Sequence, residues 1–250
     1  MVRTVRAAIA AAKHCLTYWH DVPPGQSIAA EESWLNPVVG DQPYDMLNVI
    51  DNLVDPASFL QLRAQFAPSV VVGLARIGGR SVGIIATNPA HNQGMVDDLG
   101  AQKLSRHIEL CDAWQLPIVS LVDILGTCTR WTNKDKTVSI EPGHSSMHAR
   151  CITAHQRREV PLLSVQTRHG RGLAPALLTG YSSGASVAAM MVAWPSVELN
   201  RADGYSLVRD ANAFDDIIQP DQTRQRLLRV LKLLPGATPR HKKHRAVDPW

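Results

Sequence analysis

Cysteine is sparse in this chain of 250 residues: Cys15, Cys111, Cys128 and Cys151 form no CxxC pair, so neither a disulfide framework nor a zinc ribbon can be drawn. No signal peptide is recognisable ahead of them, and reduced thiols in a cytoplasm are the expected setting. Aromatic residues make up only 5% and do not interleave with Lys or Arg, which removes the stacking platforms that bind single-stranded nucleic acid. No run approaches the ~20 apolar residues of a membrane span. The richest stretch, 173–194, is broken by Pro175, Gly180 and Gly184. A soluble protein with no nucleic-acid or membrane partner is expected. Phosphate-loop and dinucleotide fingerprints are also missing. Net charge is only +4, and the basic excess lies at the end in "PRHKKHRAVDPW", read as a solvated tail over 236–250.

What is present reads as repeated strand and helix. "VRTVRAAIAAAKHCLTYWH" has the alanine content of a helix, and a proline-rich linker follows to residue 43. "YDMLNVIDNLVD" predicts a short amphipathic helix with Met46, Val49, Ile50 and Leu53 inward, and "PASFLQL" a strand. "SVVVGLARIGGRSVGIIATNP" places two β-rich runs around Gly78-Gly79, a dipeptide suited to the positive φ angles of a tight hairpin. In "LGAQKLSRHIELCDAWQ" the spacing turns Leu104, Ile108 and Cys111 to the core and Lys103, Arg106 and Glu109 away from it.

The short, wholly apolar runs "LPIVSLVDIL" and "VPLLSVQT" read as strands covered on both faces. Between them "GTCTRWTNKDKTVSIEPGH" reads as a long polar loop and "SSMHARCITAHQRRE" as a helix. "RHGRGLAPALL" then predicts a turn into a small-residue helix through "ALLTGYSSGASVAAMMVAW". A closing helix in "DQTRQRLLRVLKLLP" takes Asp221 as its N-cap. This order implies an α/β fold with stacked crossovers. The expected division is 1–43 helix and linker, 44–235 globular domain, 236–250 basic tail.

The turn after "VPLLSVQT" carries the chemical interest. Either it merely joins strand to helix, or its adjacent main-chain N–H groups face one negatively charged oxygen, an arrangement that glycines permit and a helix dipole supports. His169 and Arg171, on either side of Gly170, are candidates for acid–base work or for gripping a carboxylate; a plain surface role is the alternative. Asp123 ends a buried strand beside Gly126, in a structural or a functional role. Cys128 reads as a loop thiol. His144, His148 and His155 share one expected helix, and His148 with Cys151 has i, i+3 spacing, but no fourth ligand is in view and no metal is expected.

The ordered motifs "YDM", "FAP", "VVG", "AR", "GRSVG", "CDA", "LVD", "VPLLSVQTR", "AWP" and "DDIIQPDQTR" resemble the second half of the carboxyltransferase (β) subunit of biotin-dependent acyl-CoA carboxylases, the propionyl-CoA carboxylase type. The resemblance implies a crotonase-like fold of ββα units and an active site shared with a first-half domain. It also implies CO2 transfer between carboxybiotin, on a separate carrier protein, and an acyl-CoA.

Carried onto this chain, the backbone N–H groups of Leu173 and Ala174 are the implied oxyanion donors. Gly126, Thr127, Gly170, Gly172 and Ala176 are the implied substrate- and biotin-binding positions. Leu173 stands where the family has a second glycine, His169 where it has lysine, and Gly126-Thr127-Cys128-Thr129 replaces a Gly-Phe-x-Pro loop. An enzyme is expected, acting as a stand-alone second-half subunit with a separate first-half chain and a biotin carrier, in a homo- or hetero-oligomer. The alternatives are a biotin-independent decarboxylase or other enolate-handling lyase, with Arg171 or Arg130 on the substrate carboxylate, and a non-catalytic scaffold.

Overall fold

The computed structural model describes residues 4–20, 42–132, 138–143, 145–170, 174–180, 188–197 and 214–235. Its sheet begins at the hairpin of β2 (Val70–Ile77) and β3 (Arg80–Thr87), closed by Gly78 (φ 61) and Gly79 (φ 81). Both φ angles are left-handed, as a two-residue hairpin turn demands. The turn is also fixed from outside: the Asp55 carboxylate accepts the N–H groups of Gly78 (2.9 Å) and Gly79 (2.7 Å) and pairs with Arg224 (2.6 Å). A Cβ at Gly78 would come within 2.4 Å of Leu228, so side-chain bulk is excluded as well as handedness.

From this hairpin the sheet grows both ways. β1 (Leu60–Leu62) adds antiparallel to β2, while β4 (Ile118–Ile124), β7 (Leu162–Gly170), β8 (Met190–Ala193) and β9 (Asp216–Ile217) add in parallel beyond β3. The order of the seven strands is β1-β2-β3-β4-β7-β8-β9. Every residue of β4 and β7 is buried, as continuous apolar runs in a parallel sheet require.

α3 (Asp98–Ala113), α4 (Ser146–Arg157) and the single turn α5 (Ala176–Thr179) cover one face, with Leu104, Ile108, Cys151 and Leu177 in that core. α2 (Met46–Leu53) and α6 (Thr223–Leu233) cover the other, around Ile50, Leu53, Trp194 and Leu227. α1 (Val5–Thr17) is tied on by Tyr18, whose hydroxyl donates to the Ser58 carbonyl and whose ring lies under Arg76 at 4.6 Å. The carboxyl ends of β3, β4, β7 and β8 therefore open at one edge, where parallel α/β sheets place their ligand sites.

Several expectations need correction. The polar loop after β4 contains an antiparallel pair, β5 (Cys128–Thr132) with β6 (Val138–Pro142). β7 runs on through Arg168-His169-Gly170 before the chain turns. The small-residue helix lasts only four residues, because Gly180 ends it in the left-handed region (φ 68), and the later run "MMVA" is strand β8. Short apolar runs fit either state, and pairing with β7 decides this one. Asp221 lies in a 3-10 turn ahead of α6 and does not cap it; the N-cap is Gln222, whose side chain makes no capping bond to α6.

Lys103 faces inward, 1% exposed, because three carbonyls wait for its ammonium: Phe66 (2.7 Å), Val70 (2.6 Å) and Ala67 (3.4 Å). Burial lowers its pKa to about 8. The linker over 21–41 and the tail 236–250 lie outside the described residues.

Candidate active site

The parallel pairing of β4 with β7 slips near its carboxyl end. Val122 pairs with Gln166, but Ile124 pairs with Gly170, so β7 spends more residues than β4 across the same span. Such a bulge re-aims side chains. Here it brings three donors of β7 onto one carboxylate of β4. Asp123 Oδ1 accepts from the His169 main-chain N–H (3.0 Å) and lies 2.9 Å from His169 Nδ1. Asp123 Oδ2 accepts from Arg168 Nε at 3.1 Å. The Gln166 side-chain amide donates to the His169 carbonyl, which holds the extra loop closed.

Asp123 is itself fixed from β3. Its main-chain N–H donates to Thr87 Oγ1 at 3.0 Å, and its carbonyl lies 2.9 Å from that hydroxyl. A carboxylate only 1% exposed is tolerable because a guanidinium and two N–H donors meet it. The Nδ1 edge of the His169 ring is thereby turned to Asp123. Arg168 reaches further, donating to the Gln42 carbonyl at 3.0 Å and lying over the Tyr44 ring at 5.2 Å. Tyr44 in turn bonds Thr167 at 2.9 Å; burial first, and the nearby Asp123 charge second, push its phenol pKa far up, so it stays protonated.

The turn after β7 leads into α5. Ala174 is buried, and among the described residues no main-chain acceptor takes its N–H. Arg171, Gly172 and Leu173 lie outside the described residues. α5 is one turn long, so it offers individual N–H groups rather than the macrodipole of the longer helix expected from sequence.

Across from this turn, the segment after β4 is pinned at its base. Val96 bridges Thr127, Val96 N–H donates to the Gly126 carbonyl (3.2 Å), and Cys128 N–H donates to the Val96 carbonyl (3.0 Å). A Cβ on Gly126 would meet nothing within 4 Å, so this backbone borders open space. A loop with left-handed Asn92 (φ 49), Gln93 (φ 52) and Gly94 (φ 72) closes against Asp123, whose carbonyl lies 2.3 Å from where a Gly94 Cβ would sit.

The site residues expected from sequence therefore divide. His169 and Gly170 end β7 and Ala174 follows it, while Gly126 and Thr127 follow the neighbouring β4, at the same sheet edge. Ala176 is 2% exposed, inside the chain rather than at its surface. Cys128 is buried, with Asn92 Nδ2 at 3.7 Å from its sulfur.

The helical histidines are occupied by the fold. Nδ1 of His148 accepts the Ser145 N–H at 2.9 Å, and Nε2 reaches the Val96 carbonyl at 3.0 Å. His155 is bound to α5. His144 lies outside the described residues. Among the described residues no group of three or more His, Cys, Asp or Glu could hold a metal. Sequence reasoning missed Arg168, Tyr44 and Thr87. A signal was present for their hub: an aspartate inside an otherwise apolar strand needs partners, although the sequence does not name them.

The model of the carboxyl transferase domain family matches residues 6–204. The chain belongs to that family. This carboxyl transferase domain is 32% identical over 238 residues to the carboxyltransferase subunit of propionyl-CoA carboxylase from Haloferax mediterranei, covering 80% of this chain and 44% of that protein. It is 34% identical over 180 residues to the biotin-dependent acetyl-/propionyl-coenzyme A carboxylase beta5 subunit of Mycobacterium tuberculosis (strain CDC 1551 / Oshkosh), covering 71% of this chain and 31% of that one.

Among solved structures, the transcarboxylase 12S hexamer with hydrolysed methylmalonyl-coenzyme A superposes with a TM-score of 0.73 at 25% identity, covering 96% of this chain and 53% of that one. The geranyl-CoA carboxylase beta subunit of P. aeruginosa, at 18% identity, 91% and 50% coverage and a TM-score of 0.60, shares the fold. The carboxyl transferase domain is thus a crotonase-like α/β fold. It spans less than half the length of the curated relatives it matches. No helix among the described residues is long and apolar enough to cross a membrane.

Proposed function

We propose that this chain supplies the biotin-facing half of a carboxyltransferase centre and works with a first-half chain that binds the acyl-CoA. The observation that carries the reading is the Ala174 N–H, buried at the head of α5 with no main-chain acceptor among the described residues. An amide in that state lowers the energy of negative charge that develops on a nearby oxygen, and one such donor is worth ~2.7–4 kcal/mol in a transition state. Leu173 N–H is the second donor in this reading, and Gly172 would let a ligand approach the backbone; Gly170 is buried in β7 with the Gln166 side chain 2.7 Å from where its Cβ would sit, so it serves the packing of the bulge and not a ligand.

The open side of Gly126 would admit the ureido ring, which Thr127 would flank. Carboxybiotin, delivered on a carrier protein, would supply the CO2. The chain's own N–H donors would hold the ureido oxygen, where negative charge develops as CO2 leaves for the α-carbon of the acyl-CoA. Arg171 stands beside the turn as a candidate anchor for a carboxylate.

Further parts of the proposal are a division at residues 43 and 235 into helix with linker, domain and tail, a homo- or hetero-oligomer, and a cytoplasmic setting. The test is carboxyl transfer from a carboxylated biotin carrier to propionyl-CoA, measured with the chain alone and with a co-purified first-half subunit. Transfer only in the mixture, blocked by avidin, supports the reading; transfer without any biotin carrier contradicts it.

The hydrogen-bonded Asp123–His169 pair favours a second reading, a biotin-independent decarboxylase. There the N–H donors would hold the enolate oxygen as CO2 leaves, and His169 would return the proton to carbon. Avidin-resistant release of CO2 from an acyl-CoA carboxylate, lost in His169→Gln, is its signature.

A further inference from the structure

α5 is too short to hold itself. Its turn is closed by hydrogen bonds from Leu177 N–H to the Ala174 carbonyl (3.0 Å), from Leu178 and Thr179 N–H to the Pro175 carbonyl (2.9 Å each), and from the C-cap Gly180 N–H to the Ala176 carbonyl (3.0 Å). A helix end leaves carbonyls without partners, and in a one-turn helix most carbonyls belong to an end. Buried carbonyls need donors from elsewhere.

α4 provides them. His155 Nε2 lies 2.9 Å from the Leu177 carbonyl, and Cys151 Sγ, one turn earlier on α4, lies 3.4 Å from the same oxygen. Leu177 thus joins two parts of the molecule: its N–H holds the Ala174 carbonyl, and its own carbonyl is held by α4.

The imidazole is set for this task. Arg158 Nε donates to His155 Nδ1 at 3.3 Å, which makes Nδ1 the acceptor and leaves the proton on Nε2, aimed at Leu177. Arg158 is itself fixed by its 2.6 Å bond to the Val160 carbonyl. Burial, then the Arg158 charge, lower the His155 pKa to about 3, so the ring keeps this neutral form at neutral pH. Gly180 closes the cage: a Cβ there would sit 2.9 Å from His155 Cβ and 3.1 Å from Cγ, and its φ of 68 is left-handed.

We propose that His155, oriented by Arg158, is a positioning residue that fixes α5 through the Leu177 carbonyl and so sets the direction of the Ala174 N–H. It touches no reacting atom. Its catalytic consequence rests on the carboxyltransferase reading above, whereas its structural consequence does not.

The experiment compares wild type, His155→Ala and His155→Gln; glutamine retains an N–H donor for Leu177 and an oxygen for Arg158. Amide hydrogen exchange over Ala176–Gly180 should accelerate by at least about tenfold in His155→Ala, stay near wild type in β4 and β7, and largely recover in His155→Gln. In the reconstituted transfer assay with propionyl-CoA, His155→Ala should lower kcat by about 10- to 100-fold with KM nearly unchanged, and His155→Gln should restore most of it. Unchanged exchange in α5, or exchange raised equally throughout the sheet, overturns the proposal whatever activity the chain has. So does a loss of activity that falls on KM alone. An assay in which wild type itself transfers nothing refutes the functional reading, and the exchange data still decide the role of His155.

Discussion

Replacing Asp123 with asparagine isolates the hub of the site with almost no change in volume. The wild-type carboxylate accepts Arg168 Nε at 3.1 Å, the His169 N–H at 3.0 Å, and lies 2.9 Å from His169 Nδ1. Asparagine offers one oxygen for these donors and turns an NH2 group toward either the guanidinium or the imidazole. Breaking a buried ion pair costs about 3–5 kcal/mol when the remaining charge has no other partner. Arg168 keeps the Gln42 carbonyl and the Tyr44 ring face, which places the expected loss near the lower end, about 3 kcal/mol. For a chain of this size that is a fall in Tm of about 6–12 °C.

Thermal and urea unfolding of Asp123→Asn, Arg168→Met and the double variant measure it. The double variant should recover more than about 1.5 kcal/mol of the summed single losses, because removing Arg168 also removes the stranded charge. A loss under about 1 kcal/mol for Asp123→Asn, or strictly additive losses, would refute the claim that this carboxylate organises the strand ends.

Two further outcomes follow from the same physics. His107 and His155 are buried and neutral, with pKa values lowered by burial to about 4 and about 3 from an ordinary 6.5. The unfolded chain therefore binds more protons below pH 6.5, so their contribution to stability is complete above that value and declines by about 1.4 kcal/mol per pH unit for each histidine as pH falls toward 4. Urea unfolding across that range should give a slope for His155→Gln that is shallower than wild type by about that amount, and equal slopes would contradict the assignment. Gly180→Ala meets both a left-handed φ and the His155 side chain at 2.9 Å, and should cost about 1–3 kcal/mol; a neutral effect in urea titrations would mean α5 does not pack as described.

The architecture was legible wherever local chemistry and tertiary packing agree. Gly78-Gly79 demanded a tight hairpin, and the structure has it. Met46, Val49, Ile50 and Leu53 were assigned to one face of α2, and all four are buried. The short apolar runs read as covered strands became β4 and β7, buried throughout. The reading failed where the decisive contact is remote in sequence. Lys103 looks solvated by helical spacing, but carbonyls at Phe66, Ala67 and Val70 draw it in.

"MMVA" fits helix as well as strand until β7 pairs with it. At the site, the sequence pointed to the turn after β7 and to His169. It did not reveal the bulge opposite Asp123, since register is set between strands more than forty residues apart (His169 to Asp123 is 46). The sequence offers His155 only as a candidate metal ligand, because the need of a one-turn helix for outside donors shows only in the shortness of α5.

The most direct measurement concerns the N–H of residue 174 itself. Replacing the amide between Leu173 and Ala174 with an ester removes that single donor and keeps every side chain. In the reconstituted carboxyl transfer assay kcat should fall by about 10²- to 10³-fold, the equivalent of ~2.7–4 kcal/mol, with KM for propionyl-CoA almost unchanged. A well-folded ester variant that transfers carboxylate at the wild-type rate would contradict the account at its centre.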